Sequence, residues 1–105
     1  MRSTKSIVTL SLFTLFFSSL PSFAGDPEMG KLKSSSCVFC HATNSDAETT
    51  HPSLLGKDAQ ALIDAMEEYK NGDRKGAMAD MMRAQLQHLD SNDIADIAAF
   101  YTELD

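Results

Sequence analysis

The sequence has no tryptophan, two cysteines, three prolines and nine basic residues. Each shortage narrows what it can do. Two cysteines exclude the multi-disulfide framework that holds many small exported domains together. They stand three apart, at 37 and 40, so a bridge between them closes too small a loop to add much chain-entropy stabilisation. The nine basic residues face 15 acidic ones, and the formal net charge is −6. Such a chain repels phosphate backbones, which excludes nucleic acid as a partner. No β-rich alternating run, no internal repeat and no second domain are visible, so the pattern is all-α.

Long hydrophobic runs are also scarce. The one present extends from Ile7 to Leu20 and carries no charge. Arg2 and Lys5 precede it, and Ser22 and Ala24 occupy the small-residue positions before a cut between Ala24 and Gly25. Residues 1–24 therefore read as a secretory signal peptide and residues 25–105 as the mature domain, placed in the periplasm. The run is shorter than the roughly 20 residues that a membrane span needs, so no stable insertion is expected after cleavage.

Cleavage leaves 81 residues with 7 Lys+Arg against 15 Asp+Glu, a net charge of −8. A domain of this size buries only about 60% of its unfolded surface and is marginal without a staple, a metal or a large cofactor. Its acidic surface favours solubility and suits a basic docking surface on a partner.

Helical spacing organises the mature chain. A short helix is expected from residue 28 towards the cysteines, with Pro27 at its start and Ser34 to Ser36 weakening its end. Residues 42–56 are rich in Thr, Asn, Ser, Asp and Gly and read as loop, anchored by Leu54 and Leu55. Residues 57–71 read as a helix with the stripe Leu62, Ala65, Met66 and Tyr69, capped by Asp58 and stopped by Asn71-Gly72. Residues 73–81 fit either loop or short helix, and 83–89 continue helically through Leu86 and Leu89. Asp90 or Ser91 caps a last helix whose stripe is Ile94, Ile97, Ala98 and Tyr101.

The chemistry-bearing motif is Cys37-Val38-Phe39-Cys40-His41. Cys-x-x-Cys-His is the attachment string for c-type haem. Two cysteines about one helical turn apart present both sulfurs to one edge of a porphyrin, where each adds to a vinyl group. His41 follows at once and can turn its ring under the iron as proximal ligand. A thiol–disulfide redox motif normally accompanies a βαβ pattern, which this chain lacks. A structural zinc site needs four ligands. Cys37, Cys40, His41 and His51 supply that number, but the adjacent Cys40 and His41 make a strained pair for one tetrahedral ion.

The chain resembles the small class I cytochromes c, especially the short bacterial monohaem type. The resemblance covers nearly all of residues 28–105. It rests on Cys37 to His41, then His51-Pro52-Ser53-Leu54-Leu55-Gly56-Lys57, then Tyr69-Lys70-Asn71-Gly72-Asp73-Arg74, then the stretch Leu89 to Tyr101. Ala42 and Lys57 stand where the family often has Gly and Gln. The resemblance implies a small class I cytochrome c fold wrapped around one covalently bound haem c. The first helix would cross residues 94–104. The Pro52 carbonyl would accept a bond from the His41 ring. A methionine before the last helix would be the sixth ligand. Counting back from Leu89 places that ligand on Met82, and counting forward from Gly72 and Arg74 places it on Met78. Met82 is carried forward, with Met78 and then Met81 as alternatives.

The resemblance further implies a non-enzymatic electron carrier serving redox protein partners. Two other readings follow from the same motifs. One is a haem electron-transfer subunit of a larger enzyme such as a flavocytochrome. The other is a haem-based gas-binding or sensor domain, which requires an absent or easily displaced methionine ligand.

Overall fold

The computed structural model describes residues 25–45 and 51–104. The signal-peptide assignment falls on residues 1–24 and lies outside them. Among the described residues four α-helices form: α1 (Pro27–Lys33), α2 (Ala59–Lys70), α3 (Ala79–Leu86) and α4 (Ser91–Glu103). A single 3-10 turn, Cys37–Phe39, follows α1. No strand occurs among the described residues, which fits a small class I cytochrome c fold.

Local chemistry sets the helix ends. The Asp26 carboxylate accepts from the backbone N–H groups of Glu28 and Met29 at 2.9 and 3.3 Å, and Pro27 takes the first helical position of α1. Asp58 caps α2 through the Ala61 N–H at 2.9 Å. Asn71 is the last cap, and Gly72 follows at φ +80, a left-handed turn that glycine adopts without strain. Asp90 and Asp93 form a reciprocal capping box at the start of α4, with bonds of 2.8 and 3.0 Å. This settles the choice between Asp90 and Ser91 in favour of Asp90. The segment read as loop or short helix divides. Residues 73–78 are turn and loop, and α3 begins at Ala79.

Helix α1 packs across α4, as expected, while α2 packs against both α3 and α4. The crossing of α1 and α4 depends on Gly30. A Cβ at that position would lie 1.9 Å from the Asp96 carbonyl oxygen. The two backbones meet there with no room for a side chain. Beside the crossing, the Lys33 ammonium bridges Asp93 at 2.8 Å and Asp96 at 2.6 Å. The Asp96 carboxylate also accepts from the Asp26 N–H at 2.7 Å. The bond from Lys33 holds both carboxyls below the usual range, and Asp93 and Asp96 push the lysine upward.

The α4 stripe read from the sequence is the buried one: Ile94, Ile97, Ala98 and Tyr101. Leu62, Leu86 and Leu89 join it. Each large side chain in that cluster contributes about 1.5–3 kcal/mol by leaving water. The α2 stripe behaves differently. Only Leu62 is buried, while Ala65, Met66 and Tyr69 are half-buried and line a cavity. The stripe faces a space rather than a packed neighbour, and that space is the site.

Candidate functional site

The turn after α1 is built by consecutive backbone bonds. The N–H of Cys37 donates to the Ser34 carbonyl at 2.8 Å. Those of Cys40 and His41 both donate to the Cys37 carbonyl, at 3.1 and 2.8 Å. This winding brings Cys37, Cys40 and His41 to the wall of one cavity. Phe39, between the cysteines, is 87% exposed.

His41 is buried, and its Nδ1 lies 2.9 Å from the Pro52 carbonyl oxygen. A carbonyl only accepts, so Nδ1 carries the proton and Nε2 keeps its lone pair. Nε2 is itself buried and has no hydrogen-bond partner among the described residues. A buried, unpartnered nitrogen lone pair needs an explanation, and a metal ion supplies one. The His51 ring stands edge-on to His41 with centroids 6.0 Å apart and also lines the cavity. His88 is exposed and does not line it.

The cavity holds about 1070 Å³. Its walls include Leu54, Leu62, Met66, Leu86, Ile97 and Tyr101. All three candidate methionines line it. Met82 is half-buried against the core cluster, whereas Met78 and Met81 are exposed. Met81 and Met82 sit in the first turn of α3, and Met78 is the residue that precedes it. All three candidates precede α4 in the chain, and two of them are helical.

Charge at the cavity is one-sided. Lys57 and Arg74 line it, and among the described residues no Asp or Glu does. In a chain with 15 acidic residues that selection is informative. The Arg74 guanidinium also lies over the Tyr69 ring, 5.2 Å from its centroid, and bonds the Glu68 carboxylate at 2.7 Å.

The competing readings of the cysteines fare poorly. Burial pushes the Cys37 thiol upward, so it is neutral at ordinary pH. A redox-active cysteine has the opposite shift, towards thiolate. No group of three or more His, Cys, Asp and Glu side chains that could hold a metal ion occurs among the described residues. A flat, largely apolar ring with a central metal and peripheral carboxylates meets every feature of the site. The apolar walls match the ring, His41 Nε2 matches the metal, and Lys57 with Arg74 matches the carboxylates. Haem fits.

Sequence reasoning assembled Cys37, Cys40, His41, Pro52 and the methionines. It missed the part of Lys57 and Arg74 at the cavity, though both lay inside motifs already singled out. It also placed Tyr101 only in an apolar stripe. The Tyr101 hydroxyl is buried on the cavity wall without a hydrogen-bond partner among the described residues. Helical spacing carries no signal for that.

No family model matches the sequence. Individual relatives do. The chain is 40% identical over 80 residues to cytochrome c-554(548) of Halomonas halodenitrificans, covering 75% of this chain and 96% of that protein. It is 32% identical over 105 residues to cytochrome c4 of Azotobacter vinelandii, covering 93% of this chain but 50% of that protein. Over a shorter stretch of 45 residues it is 36% identical to the cytochrome subunit of sulfide dehydrogenase of Chlorobaculum tepidum, covering 43% of this chain and 41% of that one.

Proposed function

Because the chain belongs to the class I c-type cytochromes, whose members carry covalently attached haem c, we propose that it is a periplasmic monohaem carrier of single electrons. The observation that carries this reading is His41. Its Nδ1 is bonded to Pro52, and its buried Nε2 is left unpartnered on the wall of an apolar cavity. The haem supplies an iron that changes by one electron between ferrous and ferric states.

The chain's own residues perform the rest. Cys37 and Cys40 would hold the haem through thioether bonds from their sulfurs. The two cysteines make one attachment motif, which supports one haem. The Pro52 carbonyl fixes the His41 ring in the tautomer that presents Nε2 and raises its donor strength. Met82 is the sixth ligand, supported by its position on the cavity wall and its packing against the core cluster. A thioether is a soft ligand that favours ferrous iron. With His41 and Met82 both holding the iron, the protein would offer no place for a substrate at the metal. The protein accepts one electron from a donor and passes one to an acceptor. Lys57 and Arg74, both on the cavity wall, would be the residues to pair with the haem carboxylates. Removal of residues 1–24 on export yields the mature domain.

The test is spectroscopic. The purified exported protein should give the haemochrome spectrum of thioether-bound haem. Met78→Ala, Met81→Ala and Met82→Ala, made separately, should differ: the Met82 variant alone loses the weak red absorbance band of a methionine–iron bond in the oxidised protein. Retention of that band in all three variants rules out a ligand from this segment. A natively open sixth position, seen as tight carbon monoxide binding by the reduced protein, favours a gas-binding role instead.

The similarity to a sulfide dehydrogenase subunit favours a second reading, in which the chain serves as the electron-transfer subunit of a larger enzyme. Gel filtration of the native haem protein separates the two. A free carrier elutes near its own mass, and a subunit elutes with its enzyme.

A further inference from the structure

Met81 and Met82 stand in the first turn of α3, and eight residues are too few to hold a helix in water unaided. Whatever fixes α3 therefore fixes the methionines. Among the described helices its backbone comes close to α2 alone. Its amino end follows a loop with Gly76 at φ +144, and Met78, the residue at its cap, makes no side-chain bond to the first turn. The polar restraints gather at the other end, where the chain turns towards α4.

Two of them come from one residue. Lys70 closes α2, and its ammonium donates to the Leu89 carbonyl, directly before the Asp90 cap of α4. The Lys70 backbone carbonyl, at a helix end where carbonyls lack intrahelical partners, accepts from Gln87 Nε2 at 3.1 Å. The same Gln87 nitrogen donates to the Arg83 carbonyl inside α3 at 3.2 Å. Lys70 thus grips the segment after α3 twice, 17 and 19 positions along the chain. Lysine ammonium groups ordinarily stay in water, so one committed to the carbonyl of a buried leucine marks a fixed joint. Leu86 and Leu89, on either side of that joint, are buried and line the cavity. Met82 lies four residues before Leu86, on the same helix face and the same cavity wall.

We propose that Lys70 is a positioning residue for the sixth ligand: its ammonium, bonded to the Leu89 carbonyl, locks the carboxyl end of α3 to α2 and so sets the reach of Met82 to the iron. The inference rests on the assignment of Met82 proposed above. Gln87 lies five residues beyond Met82, about 7.5 Å along a helix axis at 1.5 Å per residue. Over so short a span, a tilt at the joint carries through to the thioether sulfur. Removing the ammonium leaves the Leu89 carbonyl without its partner and frees that end of α3 to shift. Imidazole from solution competes with the thioether for the same iron position, so its binding reports how firmly Met82 is held.

The experiment titrates the oxidised, haem-loaded exported protein with imidazole and follows the loss of the red methionine–iron band. Lys70→Met removes the donor and keeps an unbranched stem, and Lys70→Arg keeps a donor. The expected result is about tenfold tighter apparent imidazole binding in Lys70→Met, the factor that corresponds to one charge-assisted hydrogen bond. Lys70→Arg should return towards wild type. Lys33→Met serves as the comparison, because it loosens the α1–α4 crossing and not α3. Wild-type imidazole affinity in Lys70→Met overturns the proposal. An equal tightening in Lys33→Met also overturns it, since the effect would then be general loosening. Should Lys70→Met accumulate poorly, Gln87→Ala removes the second bond of the joint. It should tighten imidazole binding by about threefold, the factor for one neutral hydrogen bond, and wild-type affinity there overturns the proposal as well. A red band kept in Met82→Ala removes the assignment of Met82 itself, a result distinct from a band that needs Met82 with an imidazole affinity that ignores Lys70.

Discussion

The His41 imidazole donates from Nδ1 to the carbonyl oxygen of Pro52, 2.9 Å away. That one bond decides what the opposite nitrogen can do. With Nδ1 protonated, Nε2 is a fixed lone pair in a buried setting. The donated bond also restrains rotation of the ring about its own axis, so the lone pair has one direction. The link spans 11 positions of chain and crosses from the cysteine turn to the loop before α2.

The bond belongs to the Pro52 carbonyl and not to its ring, and this separates two roles. Pro52→Ala keeps the carbonyl and frees φ. Its cost should therefore lie in the unfolded chain, at about 0.4–1 kcal/mol. Thermal unfolding of the haem-loaded variant should register that loss, with absorbance bands and midpoint potential unchanged. A shifted potential would mean that the pyrrolidine ring itself shapes the iron's environment.

The two levels at which the site was legible in the sequence have different physical origins. Cys37, Cys40 and His41 are contiguous, so their geometry follows from one turn of backbone. The caps Asp58 and Asp90 and the stop at Asn71-Gly72 are equally local, and α2 falls within two residues of its expected limits while α4 begins directly after Asp90. Lys33 was invisible as a clamp because its partners Asp93 and Asp96 lie some 60 residues away, on another helix. The α2 stripe was read with the right residues but with no neighbour assigned to it. Periodicity reports that Ala65, Met66 and Tyr69 share a face, but not whether that face meets protein or a cofactor. The methionine ambiguity has the same root, since Met78, Met81 and Met82 fall at spacings that let all three reach one cavity.

Gly30 offers a direct test of the helix crossing. Gly30→Ala would place a Cβ 1.9 Å from the Asp96 carbonyl oxygen, where backbone and not a flexible side chain must give way. Overpacking of this kind costs about 3 kcal/mol. The melting temperature of the haem-loaded protein should fall by about 10 °C or more. A variant that melts with the wild type would show that α1 can lift from α4 freely.

Acid sensitivity should follow from the Lys33 clamp. Asp93 and Asp96 are held below their unfolded range by Lys33. Their contribution is therefore complete above an unfolded carboxyl pKa of about 3.9 and is lost as pH falls through the lower folded values. Lys33 is pushed upward, so its share is complete below about 10.4 and is lost only as pH rises past its folded value. The stability difference between wild type and Lys33→Met should be flat from about pH 5 to 9 and should shrink in acid. Denaturant titrations of both proteins, carried from that range down into acid, provide the measurement. Parallel acid loss in the two proteins would remove the clamp from the account.

The last prediction concerns the cofactor's share of the core. The buried hydrophobic residues among those described are Leu62, Ala79, Leu86, Leu89, Ile94, Ile97, Ala98 and Tyr101. All but Ala79 and Ile94 also line the cavity of about 1070 Å³. Without a cofactor, that apolar wall must either face water or collapse inward, and collapse would pull α2, α3 and α4 off their contacts. A small domain has no second core to fall back on. Cys37→Ser with Cys40→Ser removes both attachment points. The resulting chain, freed of haem, should lose most of its far-ultraviolet helical signal and unfold without a cooperative transition. A sharp transition in that apoprotein would mean that the α1–α4 crossing and the α4 stripe suffice, and that the haem occupies a fold already complete.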